Sequence, residues 1–356
     1  MRKDFFSSMI IDWYHANHRN LPWRATIDPY KIWLSEVMLQ QTRVAQGLPY
    51  YERFVSSFPT VFDLAKASEQ NVLRLWQGLG YYSRARNLHR CAKEVVEKFN
   101  GNFPNSFNEL TKLPGIGDYT AAAIASIAFR EPVAVVDGNV YRVLARLFGI
   151  EKDIASGEGK RYFFSLANKL VDKKRPDLFN QAVMEFGALH CVPKNPKCNE
   201  CIFSKSCEAN QRNLQAVLPI KSKKLKVRTR YFYYFILRNK SKVLMKQRTE
   251  KDIWHGLNDF YLIETLRKQN PATLRQKDQL LIRSTILKES RVYKHVLSHQ
   301  KLMVRFITVD VQLTKKREKI IRKSRMKWFT RNQVEKIPKP ILIERYINEK
   351  IQEQDF

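Results

Sequence analysis

The apolar pattern predicts helices through most of the N-terminal part of the chain and changes character beyond residue 220. Phe5 to Asn17 predicts a helix, and Leu21-Pro22-Trp23-Arg24 breaks the chain into a loop. Tyr30 to Gln46 predicts another, with Trp33, Leu34, Val37, Met38 and Leu39 apolar; from Ile32 to Thr42 its only ionisable residue is Glu36. Leu113-Pro114-Gly115-Ile116-Gly117 ends one helix and leads into an alanine-rich one from Asp118 to Phe129. Val135-Val136-Asp137-Gly138-Asn139-Val140 is an apolar approach ending in one carboxylate, just before a helix expected from Val140 to Gly149. Leu178 to Leu189 predicts the last helix of this part. The stretches starting at Phe58 and Phe103 share Phe-Pro, a later Phe, and Gly-x-Gly followed by Tyr, which reads as a weak internal repeat of a helical unit.

Ile220 to Arg230, IKSKKLKVRTR, is too charged for a core and reads as a linker. Tyr231 to Leu237 then predicts a strand, Asn239-Lys240 a turn and Val243 to Gln247 its partner. His295 to Val311 alternates like a hairpin, and Pro338 to Ile351 is helical in pattern. The expected organisation is an all-α domain over 1–219, a basic linker over 220–230 and a smaller α/β domain over 231–356.

Charge adds a partner. The 64 Lys and Arg exceed the 34 Asp and Glu, and the net +30 is spread along folded sequence, which predicts a polyanion such as nucleic acid. With no apolar run of about 18 residues and no secretory signal after MRKDFFSS, neither a membrane span nor export is expected, and the location read from this is the cytoplasm. Four of the five cysteines fall between Cys191 and Cys207, a poor fit to a secreted disulfide framework.

The glycines of LPGIG, Gly115 and Gly117, allow φ > 0 and clear side chains from the turn, so backbone N–H groups at the start of the next helix can approach a phosphate. Such a helix-hairpin-helix grips a DNA backbone without reading sequence. Taken alone, Asp137 reads as a helix N-cap and Glu36 as a solvated surface carboxylate. Gly78-Leu79-Gly80 offers a second backbone turn, where Tyr81 and Tyr82 beside Arg84 and Arg86 suit an aromatic wedge flanked by phosphate contacts, one tyrosine being expected in the core. Cys191, Cys198, Cys201 and Cys207 form C-x6-C-x2-C-x5-C, which by ligand type fits either tetrahedral zinc or a [4Fe-4S] cluster.

LPGIG followed by VDGNV resembles the signature of the endonuclease III superfamily of DNA glycosylases, and SEVMLQQT and Pro22-Trp23-Arg24 most resemble its MutY-type adenine DNA glycosylases. The resemblance implies a helix-hairpin-helix glycosylase domain with a [4Fe-4S] loop, followed by a Nudix-like α/β domain. That domain lacks the Gly-x5-Glu-x7-Arg-Glu box, so nucleotide hydrolysis is not expected. In the implied site Glu36 is the general acid, Asp137 stabilises the sugar cation, Tyr119 bonds near Asp137, and Asn139 orients it. Arg24 and Gln181 contact the extruded adenine, Gln41 and Thr42 lie in a segment that enters the duplex, and the four cysteines bind iron and sulfur. Leu297-Ser298-His299 resembles the Phe-Ser-His element that recognises 8-oxoguanine, with Leu297 in place of the aromatic residue. The implied substrate is double-stranded DNA with adenine opposite 8-oxoguanine or guanine, acted on by a monomer. The rivals are an endonuclease III-type pyrimidine glycosylase with lyase activity, which carries Lys where this chain has Tyr119, and a non-catalytic Fe-S DNA-binding protein.

Overall fold

The computed structural model describes residues 3–222, 227–297 and 299–352; Ser298, named above for the recognition loop, lies outside the described residues. Packing groups Met1–Lys66 with Asn87–Lys223 as one unit and Ala67–Arg86 with Lys224–Phe356 as the other. Residues 67–86, expected within the first domain, are therefore described with the second unit.

The first unit is helical. Its N-terminal helix, Lys3–Asn17, packs on Pro176–Leu189, which also meets Gly138–Leu147 and Asp118–Phe129. Phe6, Ile10, Val143, Leu144, Phe163, Phe179 and Phe186 fill the core between several of these helices, each fully buried large side chain contributing about 1.5–3 kcal/mol before entropy is counted. Phe6 meets Phe179 edge to face at 5.8 Å. Helix Pro29–Leu39 lies on Asp118–Phe129, whose buried Ala121, Ala122, Ala123 and Ala125 permit close approach.

Local geometry corrects three expectations. Tyr30 to Gln46 is not one helix: it ends at Leu39, Gln41 takes φ 57°, and a new helix starts at Val44 and runs to Ser57. The helix expected from Val140 starts two residues earlier, at Gly138, because the Asp137 side chain accepts from the backbone N–H of Asn139 and Val140. In the hairpin turn only Gly115 has positive φ, 77°; Gly117 is the extended N-cap of the next helix at φ −94°.

The second unit is built on seven strands among the described residues: β1 Arg228–Asn239, β2 Lys242–Gln247, β3 Asn258–Thr265, β4 Thr285–Glu289, β5 Tyr293–Val296, β6 Gln300–Asp310 and β7 Lys327–Thr330. The order is β4-β6-β1-β3-β2-β7, with β5 also on β6 and β1 parallel to β6. Central β1 is buried on both faces, which explains its unbroken apolar run. Tyr233, Phe235, Leu281, Ile307 and Ile321 pack on one face. On the other, Tyr346 of helix Ile341–Gln352 stacks on Phe306 at 4.0 Å. Residues 67–86 join this unit through Gln77, whose side chain accepts from Lys339 N at 3.0 Å, and Arg86, which donates to the His255 carbonyl at 2.6 Å.

The two hairpin glycines separate in a thermal melt. A Cβ on Gly115 would stand 2.6 Å from Asn87 Cβ at φ 77°, so Gly115→Ala is expected to cost at least ~1–2 kcal/mol. A Cβ on Gly117 meets nothing within 4 Å, and Gly117→Ala should leave the melting temperature nearly unchanged. A similar drop in both variants would contradict this assignment.

Candidate active site

Glu36 projects from the buried face of helix Pro29–Leu39, started by Asp28, whose carboxylate accepts from Tyr30 N at 2.9 Å. Its side chain is buried, and Oε2 accepts from the Tyr119 hydroxyl at 2.6 Å. Burial pushes the Glu36 carboxyl up to about 7, nearby Asp137 pushes the same way, and the Tyr119 bond and Arg24 oppose it. Tyr119 is raised well above its ordinary value by burial and by the two carboxyls. Asp137 Oδ1 accepts from the N–H groups of Asn139 and Val140, both at 2.8 Å, and Oδ2 accepts from Asn139 Nδ2 at 2.8 Å. Asp137 stands above its ordinary value because burial outweighs these bonds and Arg142, which favour the charged form.

Glu36, Tyr119, Asp137, Asn139, Arg24, Gln181 and Thr42 all line one cavity of about 590 Å³. Gln41 is exposed on the bend beside it and does not line it. Gln181 Oε1 accepts from Tyr14 at 3.1 Å. Arg24, expected at the base, donates through both terminal nitrogens to Glu185 at 2.8 and 2.7 Å and lies over the Tyr14 ring. Glu185 also takes Arg19; burial alone would raise its carboxyl, but the bonds from Arg19 and Arg24 hold it down at about 2.

Cys191, Cys198, Cys201 and Cys207 are free thiols that ring one small cavity with Arg146 and His190. Among the described residues no group of three metal-ligating side chains is gathered closely enough to hold a metal ion. Arg146 is 3% exposed and donates to Cys191 Sγ at 3.5 Å and to the carbonyls of Val192, Pro193, Gln215 and Leu218. Phe203 N donates to Cys201 Sγ at 3.4 Å. Four sulfurs with N–H donors and a buried cation beside them fit an anionic iron-sulfur cluster.

In the second unit Gly78 and Gly80 both take positive φ, 101° and 79°, and Tyr81 follows at 49°. Tyr81 is 43% exposed, whereas Tyr82 belongs to the core. Arg84 is buried against the Tyr81 and Trp76 rings and donates to the Gly80 carbonyl, so it is not presented to a phosphate as expected. Tyr81 lines a cavity of about 570 Å³ with Trp254, Leu297 and His299. The hairpin carrying His299 pairs His295 with Leu302 and Val296 with Lys301. Arg230 fixes its base, donating to Gln300 Oε1 at 2.8 Å and to both Asp252 and Glu264.

Residues 34–169 match the HhH-GPD superfamily of base excision DNA repair proteins, and 233–349 match the NUDIX domain. An adenine DNA glycosylase of Buchnera aphidicola subsp. Baizongia pistaciae is 37% identical over 313 residues, 86% of each chain. This chain belongs to the adenine DNA glycosylase family. The adenine DNA glycosylase of Homo sapiens is 46% identical over 216 residues, 58% of this chain and 40% of that one. Among solved structures, a thermostable thymine-DNA glycosylase is 30% identical at a TM-score of 0.55, covering 59% of this chain and 97% of its own. An endonuclease III trapped on DNA shares the fold at 23% identity and a TM-score of 0.52, covering 60% of this chain and 99% of its own.

For this member of the adenine DNA glycosylase family, sequence reasoning passed over Glu185, Arg142 and Arg146. Glu185 sits in VMEFGAL as Glu36 sits in SEVMLQ, one carboxylate among apolar neighbours, and the same signal would have found it. Arg142 joins the candidate site to the cysteine loop: Nη2 donates to Asn139 Oδ1 at 2.8 Å and Nε to the Cys191 carbonyl at 2.7 Å.

Glu36 makes stability depend on pH in a defined direction. Its carboxyl ionises near 4.5 when solvated and near 7 in the fold, so between those values unfolding releases a proton and stability falls as pH rises. The loss reaches on the order of 3 kcal/mol above pH ~7. Glu36→Gln removes the loss, so relative to the parent it should gain melting temperature at about pH 8 compared with about pH 4. A difference that does not change with pH would rule out a raised Glu36.

Proposed function

We propose that this protein hydrolyses the N-glycosidic bond of adenine in duplex DNA, where adenine is mispaired with 8-oxoguanine or guanine. The observation that carries this reading is the Glu36 carboxyl, held near 7 and bonded to Tyr119, in one cavity with a capped Asp137. The family membership already makes a base-excising glycosylase the expected activity.

Breaking this bond leaves electron density on the purine and a positive charge on the sugar. The two carboxyls divide the work because their surroundings differ. Glu36, largely apolar in its setting, retains a proton near neutrality and delivers it to the adenine ring as the bond lengthens. The Tyr119 hydroxyl then donates to the new carboxylate. Asp137 accepts three hydrogen bonds, which stabilise its charge opposite the oxocarbenium-like sugar. Ionised Glu36 next takes a proton from the incoming water. To reach the cavity the adenosine must leave the stack, with Arg24 and Gln181 on its polar edge and Gln41 and Thr42 at the bend beside the opened duplex. Gly115 and Gly117 hold the backbone.

Opposite-base recognition is assigned to the loop Leu297-Ser298-His299, through Ser298 and His299, and Tyr81 is assigned as an aromatic wedge. Cys191, Cys198, Cys201 and Cys207 hold a [4Fe-4S] cluster, which when bound cross-links the 191–207 loop. Arg146 offsets its negative charge. The enzyme works as a monomer in the cytoplasm. Tyr119 stands where a lyase needs an amine, so the strand stays unbroken after excision until heat or base is applied.

Single-turnover excision on a duplex with adenine opposite 8-oxoguanine tests the assignment. Glu36→Gln and Asp137→Asn should each bind the duplex yet lose about 10²- to 10⁴-fold in rate. The parent rate should fall as pH rises through about 7, the value of Glu36, and that dependence should vanish in Glu36→Gln. Full activity in either variant would remove that carboxyl from the mechanism. Ser298→Ala with His299→Ala should slow excision opposite 8-oxoguanine more than opposite guanine, and equal losses would make the hairpin scaffold only.

A further inference from the structure

Eight of the thirteen residues from Lys315 to Lys327 are Lys or Arg, and Glu318 is the one acid among them. Helix Lys315–Lys323 starts on the Thr314 side chain, which accepts from Arg317 N, and packs Ile320 and Ile321 on the sheet face of Tyr233, Phe235 and Ile307. Arg317 is buried and donates to the carbonyls of Leu280, Ile282 and Gln312, so its charge is used inside. At about 100° per residue, Lys315, Lys316, Lys319, Arg322 and Lys323 fall within one arc of about 120°, opposite Arg317 and Ile321. All five are exposed, as are Arg325 and Lys327, which follow.

Among the described residues none of these seven cations meets a carboxylate, not even Glu318 on their own helix. Elsewhere in the same unit Arg230, Lys246, Arg248, Arg305 and Arg331 are each paired. Like charges one turn apart destabilise a helix, and Lys315 and Lys316 also oppose its dipole in the first turn. Helix stability does not explain such an arrangement, whereas an anionic partner does. The apolar residues of the stretch, Ile320, Ile321 and Met326, pack into the core. That leaves no apolar face to enter a lipid surface and no apolar centre for a protein interface. A duplex backbone, with one negative charge per about 1.7 Å, is held by cations alone.

The patch is remote from the recognition hairpin. Arg228 of β1 pairs with Gln300 at the hairpin, and Arg238 pairs with Asp310, where the chain leaves for the helix. The chain returns at Lys327, which pairs with Met245, two residues from the Val243 that faces Arg238. Both ends of the basic segment therefore join the sheet eight to ten residues along β1 from the hairpin, about 25–35 Å. That distance is about 7–10 base pairs of duplex.

We propose that the exposed face of helix Lys315–Lys323 binds the backbone of duplex DNA flanking the stretch held at the hairpin, without reading its sequence. The proposal rests on duplex DNA being the partner, but not on the excision chemistry.

The test titrates the full chain with duplexes of about 11 and about 35 base pairs, which reach about 18 and 58 Å from their centres. Each carries a central 8-oxoguanine opposite a tetrahydrofuran abasic site, which has no base to excise. Lys315→Glu, Lys316→Glu and Lys319→Glu combined should weaken the long duplex at least about tenfold near 0.1 M salt. The slope of log affinity against log salt should fall by about 2–3. The short duplex should change less than about twofold, because screening removes the effect beyond ~10 Å. Carboxylates suit the N-terminal half of a helix, so the melting temperature should hold or rise. Gln at the same three positions should give a smaller loss confined to the long duplex. Equal losses on the two duplexes would reduce the effect to net charge and overturn the proposal, as would no loss on either while the parent binds both. A parent that binds neither duplex would remove DNA as the partner and the proposed function with it.

Discussion

One carboxyl sets the terms for the rest of the first unit: Glu36 must stay out of water and still face a cavity large enough for a base. An isolated charge there would be costly, so the group keeps its proton up to about 7. Apolar Trp33, Leu34, Val37 and Met38 supply the burial, and the alanine-rich helix Asp118–Phe129 lies close enough to bring Tyr119 within 2.6 Å. Bulkier residues at Ala121 to Ala125 would push the two helices apart and break that hydrogen bond. Core packing and candidate acid strength are therefore the same constraint.

Asp137 has the opposite requirement, a charge that must persist while buried, and the fold meets it at a helix start. Two backbone donors and the Asn139 amide surround the carboxylate. Asn139 is in turn held by Arg142, which reaches the Cys191 carbonyl, while Arg146, one helical turn on, gathers the carbonyls of Val192 and Pro193 from the same loop and those of Gln215 and Leu218 beyond it. The loop proposed to hold the cluster and the carboxylate proposed to face the sugar thus share one helix and two buried arginines. Disorder in the loop would release Arg142 and, through Asn139, loosen the aspartate.

Where a feature depends on local chain chemistry, the sequence was legible. The Asp118–Phe129 helix, the strand at Tyr231 to Leu237, the strand-like alternation past His295 and the clustering of the cysteines follow from residue spacing and turn chemistry alone. The bend at Gln41 was not readable, because the residues from Tyr30 to Gln46 all tolerate a helix and only tertiary packing places one at positive φ. Nor was the grouping of residues 67–86 with the C-terminal strands, since it rests on contacts such as Gln77 to Lys339 and Arg86 to His255 between segments far apart in sequence. Residues from distant segments that meet only as buried ion pairs leave almost no local pattern.

Arg24 shows what that means for assigning roles. By motif it belongs to the base, and it does line the cavity, but Glu185 already holds both terminal nitrogens of its guanidinium. A guanidinium has five N–H donors, so this clamp fixes the plane and direction of the remaining ones. Glu185 in turn needs two arginines to remain charged while 1% exposed. Removing its charge would leave Arg24 short of its partner within the site, a greater disturbance than losing the arginine's reach alone. The arginine is thus an oriented donor rather than a freely moving one, and in the proposed role of Arg24 at the base it is Glu185 that would set the direction of its donors.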